Sequence, residues 1–148
     1  MDIARLHEDL KKDEGVIYHI YLDHLGYKTF GVGHLVSQVS DPEWAYPVGA
    51  SVDYQRVHDC FAEDVKTAIN NCQRLYGEHW NHFPDIVQEV LVNMIFNLGY
   101  AGLNKFVNMN KAIDLGDWAQ AAKEGRNSKW YRQVPNRAER LMRRLENI

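Results

Sequence analysis

The stretch DEGVIYHIYLDHLGYKTFGVGH, Asp13 to His34, decides how the rest of the chain is read. Val16 to Leu22 is rich in β-branched and aromatic residues, the composition of a strand. Asp23-His-Leu-Gly26 has turn chemistry, and Tyr27 to Val32 reads as the returning strand. Gly31 and Gly33 predict a bend or a third short strand beyond it. Two isolated carboxylates flank the first strand, Glu14 at a helix end and Asp23 at the hairpin tip. Carboxylates so placed can face each other across a cleft. One can protonate a leaving oxygen while the other handles the opposite face of a sugar ring. Asp23 is equally a residue that forms such a turn, and Glu14 is equally a solvated helix end.

Outward from the hairpin, Asp2 is a candidate N-cap for a helix carrying Ile3, Leu6 and Leu10 at helical spacing and ending near Glu14, with Gly15 as left-handed cap. A small sheet of this kind needs a helix to pack against. The segment from Asp41-Pro42 to Gly49 reads as a loop with Trp44 and Tyr46 exposed or lining a wall. Ser51 is expected to cap a helix running to about Tyr76, with Val57, Phe61, Val65, Ala68, Ile69 and Cys72 along one side. At roughly 25 residues it would be nearly 40 Å long, a spine between a sheet lobe and a second lobe. GEHWNHF (residues 77–83) reads as a loop. Pro84 opens a helix that is apolar around much of its circumference and therefore central, ended by Gly99 and Gly102. Helices at about 104–115 and 117–124 are stopped by Gly116 and Gly125, Ser128 to Val134 is a turn or short helix, and Pro135 starts the last helix. The fold class is α+β: a small antiparallel sheet lobe (about 15–50), a connecting helix (about 51–76) and a mainly helical lobe (1–14 and 77–148), in one domain.

The 148 residues suffice for one domain with a real core. A 45% hydrophobic and 25% charged composition excludes disordered and membrane classes, and no apolar run approaches the roughly 18 residues of a membrane span. The first residues lack a signal-peptide core, so no export by the chain itself is expected. Cys60 and Cys72 fall on one helix about 18 Å apart, too far to pair, and read as buried free thiols. The net charge of −3 argues against nucleic acid as a partner. Its distribution is uneven: residues 123–148 carry eight Lys/Arg against three acids. Pairing within the protein is favoured over contact with an anionic polymer.

The order Glu14, then Asp23 nine positions on, Thr29 six further and G-V-G-H after it resembles the phage-type lysozymes of glycoside hydrolase family 24. MIFNLG (94–99) and KWYRQVPNRAERL (129–141) are in step with the same family. The resemblance implies a lysozyme-like fold and an endolysin that hydrolyses the β-1,4 bond between N-acetylmuramic acid and N-acetylglucosamine. In that reading Glu14 is the general acid, and Asp23 with Thr29 orients the attacking water, giving inversion. An inverting pair is expected about 6.5–9.5 Å apart, a retaining pair about 5–5.5 Å. By the same matching Arg137 partners Glu14 and His34 forms a structural ion pair with Asp64. Leu35, Phe96, Asn97 and Lys129 are the implied sugar contacts.

No metal or cofactor is implied. The remaining histidines form no H-E-x-x-H or Cys/His cluster, and His79-x-x-His82 reads as loop residues. The expected partner is bacterial peptidoglycan, with no nucleic acid and no membrane insertion. A monomer is expected, held in the host cytoplasm until a holin-type pore gives it access to the wall for lysis. Two alternatives stand beside this reading. A lytic transglycosylase would use Glu14 but has no need of Asp23 and Thr29, and a non-catalytic wall-binding domain would need none of the three.

Overall fold

Eight glycines have positive φ, and the first of them, Gly15 (φ 76°), ends the opening helix in the computed structural model, which describes all 148 residues. Helix α1 (Ile3–Glu14) stops where the Gly15 N–H donates to the Lys11 carbonyl, 2.9 Å away. The chain then forms β1 (Ile17–Leu22), β2 (Lys28–Gly31) and β3 (His34–Leu35), an antiparallel sheet in the order β1-β2-β3. The fold is α+β, 67% helical with this one small sheet. The residues divide into two compact units, His7–Lys66 and Met1–Leu6 with Thr67–Ile148, whose boundaries fall within helices in sequence.

In the unit His7–Lys66, β1 and β2 pair Tyr21 with Thr29 and Leu22 with Lys28, with an irregularity between Ile17 and Tyr21. Ile20 and Phe30 are fully buried and pack with Val36, Val52, Val57 and Cys60. The 41–49 loop contains a 3₁₀ turn, Pro42–Ala45, that buries Glu43. The Lys28 ammonium donates to the carbonyls of Trp44 (3.0 Å) and Tyr46 (2.6 Å), fastening the loop beside β2. Helix α2 is Tyr54–Tyr76, not a helix from Ser51. Ser51 instead bridges to His19 of β1, and the cap falls to Asp53, whose carboxylate accepts from the Gln55 N–H at 3.0 Å.

The second unit is built on α3 (Asp85–Asn104), which follows a 3₁₀ segment (Gly77–His82) where the sequence predicts a loop. Val87, Val90, Leu91, Met94 and Ile95 are buried along α3, and so is Glu89. Glu89 is 1% exposed and is held by Arg5 (2.7 Å) and Arg144 (3.2 Å). Burial alone would raise its pKa; the two guanidinium groups and the Asp2 N–H outweigh that and lower it. By length and composition α3 could cross a membrane, yet half of that window is buried inside the protein. Gly99 interrupts it as the sequence predicts: the backbone leaves helical geometry there (φ 74°, ψ 171°), and a second helical piece runs through Gly102 to Asn104.

After α3 come α4 (Val107–Asp114), α5 (Trp118–Arg126), α6 (Lys129–Gln133) and α7 (Pro135–Glu146), with α7 packed on α3 and α5 packed on α4 and α7. Gly125, expected as a stop, is buried inside α5. A Cβ there would collide with the Met142 sulfur and meet that of Met109 at 3.3 Å, so close helix packing, not chain termination, requires the glycine. Much of the basic tail is neutralised locally: Arg126 bonds both Glu139 (2.9 Å) and Glu146 (2.6 Å). Both cysteines are buried free thiols, and burial pushes the Cys60 thiol up to about 11.

Candidate active site

Glu14 is the last residue of α1, half-buried, with Lys11 and Lys12 in the same turn offsetting the negative end of the helix. Its carboxylate rests against the backbone of Gly33. A Cβ built on Gly33 would stand 2.6 Å from Glu14 Oε1 and 3.2 Å from its Cδ. Gly33 also has φ +62°, so the position requires glycine twice over. The turn between β2 and β3 therefore forms a floor on which the carboxylate lies.

Asp23 closes the β1–β2 hairpin. Its Oδ1 accepts from the backbone N–H groups of Leu25 and Tyr27, both at 2.9 Å, and its own N–H donates to the Tyr27 carbonyl at 2.9 Å. The turn-forming role is thus present in full, and it uses one carboxylate oxygen. Thr29 is buried, and its hydroxyl donates to the same Tyr27 carbonyl at 3.0 Å. One peptide segment, Tyr27, thereby anchors both side chains. Because the Thr29 hydrogen is committed to that carbonyl, its lone pairs are what it can offer to a donor.

Tyr21 is a residue that the sequence reading misses. It is the cross-strand partner of Thr29. Burial pushes its phenol pKa up, and the negative charges of Glu14 and then Asp23 add to the rise. Both carboxylates therefore act electrostatically on one phenol. The available signal is the two-residue period of a strand, which puts Tyr21 on the same side of β1 as Asp23 two positions later.

His34 follows Gly33 and uses both ring nitrogens: Nδ1 lies 2.7 Å from Asp64 and Nε2 2.8 Å from Asp41. Burial pulls its pKa down, but the two carboxylates outweigh burial and hold it above the ordinary 6.5. Asp41 is the reverse case. Burial alone would raise it, while the Ser37 N–H, His34 and Arg56 bring it below 3.8. Arg56 continues the chain of charges, bonding Asp41 at 2.8 Å and gripping Glu43 at 2.7 Å. Nothing in the sequence marks Asp41, Glu43 and Arg56 as members of this network. Together with His34 they brace the turn that carries Gly33.

The other sequence candidates fall on both units. Leu35 is on β3, 56% exposed. Phe96, Asn97, Lys129 and Arg137 belong to the second unit. Phe96 is half-buried; Asn97 is exposed and accepts from the Trp130 indole N–H at 2.9 Å. Lys129 and Trp130 line a recess of about 380 Å³ with Phe106 and Met109. Arg137 is buried, and its Nε donates to the Asn93 side chain at 2.9 Å.

Comparison with known proteins places these residues in context. A family model described as Phage lysozyme matches residues 11–147. The pre-baseplate central spike protein Gp5 of Enterobacteria phage T4 is 31% identical over 150 residues, 90% of this chain and 26% of that protein. Probable T4-type lysozyme 1 of Dictyostelium discoideum is 27% identical over 161 residues, 97% of this chain and 95% of that protein. Peptidoglycan hydrolase gp36 of Pseudomonas phage phiKMV is 30% identical over 147 residues, 97% of this chain and 15% of that protein. The chain thus spans nearly all of one of these relatives and a minor part of the other two.

Proposed function

The chain belongs to the phage lysozyme family, and from that premise we propose that it hydrolyses the β-1,4 bond between N-acetylmuramic acid and N-acetylglucosamine in peptidoglycan, with inversion. The observation that carries the reading is the shared anchoring of Asp23 and Thr29 by Tyr27, with Glu14 seated on the neighbouring Gly33 turn. Names containing lysozyme and peptidoglycan hydrolase among the relatives support the substrate class.

The chemistry follows from the bonding of each group. Glu14, protonated, delivers its proton to the glycosidic oxygen as the C1–O bond lengthens and the sugar becomes oxocarbenium-like. Thr29 can only accept from a water, because its hydrogen is held by Tyr27. Asp23 has its second oxygen, Oδ2, available to accept as well. A water that donates one hydrogen to each turns its lone pair toward the anomeric carbon. As the C1–O(water) bond forms, the proton passes to Asp23. Glu14 ends as carboxylate and Asp23 as acid, and exchange with solvent resets both. The fixed turn contacts hold Asp23 without reorganisation during the reaction, which is how such groups lower a barrier.

Leu35, Phe96, Asn97 and Lys129 would contact sugar, with the Asn97–Trp130 bond keeping one polar group oriented. Arg137 would act as a supporting cation. In the biological setting we propose, the protein is a monomeric endolysin. It would stay in the host cytoplasm until a holin-type pore exposes the wall.

The test is mass spectrometry of soluble fragments released from purified peptidoglycan by the wild type and by Glu14→Gln. Reducing muramic ends from the wild type alone are expected. Anhydro-muramic ends would replace hydrolysis with transglycosylation and leave Asp23 without its role. No fragments from either protein would reduce the family relationship to a binding function.

A further inference from the structure

An exposed set of aromatic rings in the unit His7–Lys66 is separate from the candidate catalytic residues. Tyr18 on β1, Tyr54 at the first position of α2 and His58 one turn further along it have nearly parallel ring planes. Tyr18 and Tyr54 centroids are 6.0 Å apart at 20°, and those of Tyr54 and His58 are 6.3 Å apart at 7°. The three rings are thus consecutive near-parallel neighbours, with Tyr54 between Tyr18 and His58. Core packing does not explain them: Tyr54 is 66% exposed, Tyr18 44%, and His58 is exposed too. Beside them lies a shallow recess whose other walls include Lys11, Val16, Val57 and Phe61. No carboxylate lines it, although the chain has 20 acids against 17 Lys and Arg. None of Glu14, Asp23 and Thr29 lines it either.

We infer that the Tyr18–Tyr54–His58 terrace, with Lys11 beside it, is a second and non-catalytic docking surface for a glycan strand of the peptidoglycan wall. The inference rests on the peptidoglycan reading above. The C–H faces of pyranose rings pack on exposed aromatic side chains, and the phenol hydroxyls, imidazole and ammonium of this group suit sugar hydroxyls. Lys11 supplies the positive charge that the carboxylates of wall peptides would meet. Its only ion pair is a loose 3.8 Å contact with Glu8 on the same helix. A protein partner fits less well. Protein interfaces draw their energy from side chains filling a pocket, and this recess holds only about 40 Å³. Single-stranded nucleic acid also stacks on aromatic rings, but it needs a cationic track along its backbone, which one lysine does not provide. The consequence is processive or at least wall-retained action: the terrace would hold the polymer while the carboxylates cut.

The experiment uses the full chain carrying Glu14→Gln, so that bound wall is not digested, in sedimentation with purified insoluble peptidoglycan. Adding Tyr54→Ala should weaken retention about three- to tenfold, the range for losing one aromatic stacking contact, while Tyr54→Trp retains binding. With Glu14 intact, Tyr54→Ala should leave the cleavage rate on short soluble wall oligosaccharides unchanged. Equal retention of Tyr54→Ala and its parent overturns the inference, as does equal loss with Tyr54→Trp. Tyr54-dependent binding to single-stranded DNA without binding to wall also overturns it. Fragment release by the wild type separates the two proposals: if it occurs while retention ignores Tyr54, only the terrace fails.

Discussion

Replacing Gly33 by alanine separates two costs that the structure assigns to one position. The first is backbone strain. At φ +62° an L residue pays about 1–2 kcal/mol, which in a chain of this size lowers Tm by about 2–8 °C. The second is the collision with Glu14. The new Cβ would sit 2.6 Å from Oε1, and ordinary contact begins near 3.4 Å, so the carboxylate must retreat by about 0.8 Å. A carboxylate at the end of a flexible side chain moves cheaply, so this second cost is small in stability. Its effect on catalysis is large, because a misplacement of about 1 Å can cost about a hundredfold in rate. Two control variants isolate the terms. Gly49→Ala meets the strain alone (φ +93°, nothing within 4 Å), and Gly31→Ala meets strain plus a 3.0 Å contact with Val57 in the core. The assay is the initial rate of fragment release from purified peptidoglycan at equal concentrations of folded protein, beside thermal unfolding of all three. Gly33→Ala should lose about a hundredfold in rate with a Tm drop no larger than that of Gly31→Ala. A rate within about threefold of Gly49→Ala would refute the claim that the Gly33 backbone positions the acid.

The His34 network sets a pH dependence of stability. His34 has its folded pKa above 6.5, so its contribution is complete below about pH 6.5 and is lost as pH rises through the raised value. Asp41 is shifted below 3.8, so its contribution is complete above about pH 3.8 and is lost as pH falls through the lowered value. Asp41→Asn should cost about 1.5–3 kcal/mol in urea unfolding at pH 5.5 and less at pH 8.5; an equal cost at both would remove His34 from the explanation. Gly125→Ala should destabilise by about 1–3 kcal/mol through overpacking against Met142 and Met109. That outcome runs against the roughly 1 kcal/mol helix preference for alanine, so a stabilised variant would contradict the packing account.

The features legible in the sequence are local. The hairpin reads from Val16 to Val32 because its strand composition, its Asp23–Gly26 turn and its glycines act within a few residues of one another. The helix start expected at 117, the short segment expected from Ser128 and the prolines at 84 and 135 are equally local, and α5, α6 and α7 begin at or beside those residues. The misread positions depend on partners far along the chain. Ser51 is drawn from the helix start by His19, and Gly125 is required by Met142 on another helix. At the candidate site, resemblance singles out Glu14, Asp23 and Thr29 as candidates, while only the structure reveals the residues that hold them. Gly33 as a floor for Glu14, Asp41 as the second acid on His34 and Tyr21 beside both carboxylates are relations between strands and turns, with no periodic signature of their own. The terrace joins β1 to α2 across 36 positions of sequence for the same reason.

In the proposed mechanism Asp23 and Thr29 hold the water that attacks the anomeric carbon from the face opposite the leaving oxygen. Proton NMR of the muramic reducing end, recorded as fragments are first released and before mutarotation, reads that geometry directly. Cleavage of the β bond by a water so held requires the α anomer to appear first. Initial release of the β anomer would mean net retention and would contradict the assignment of Asp23 and Thr29.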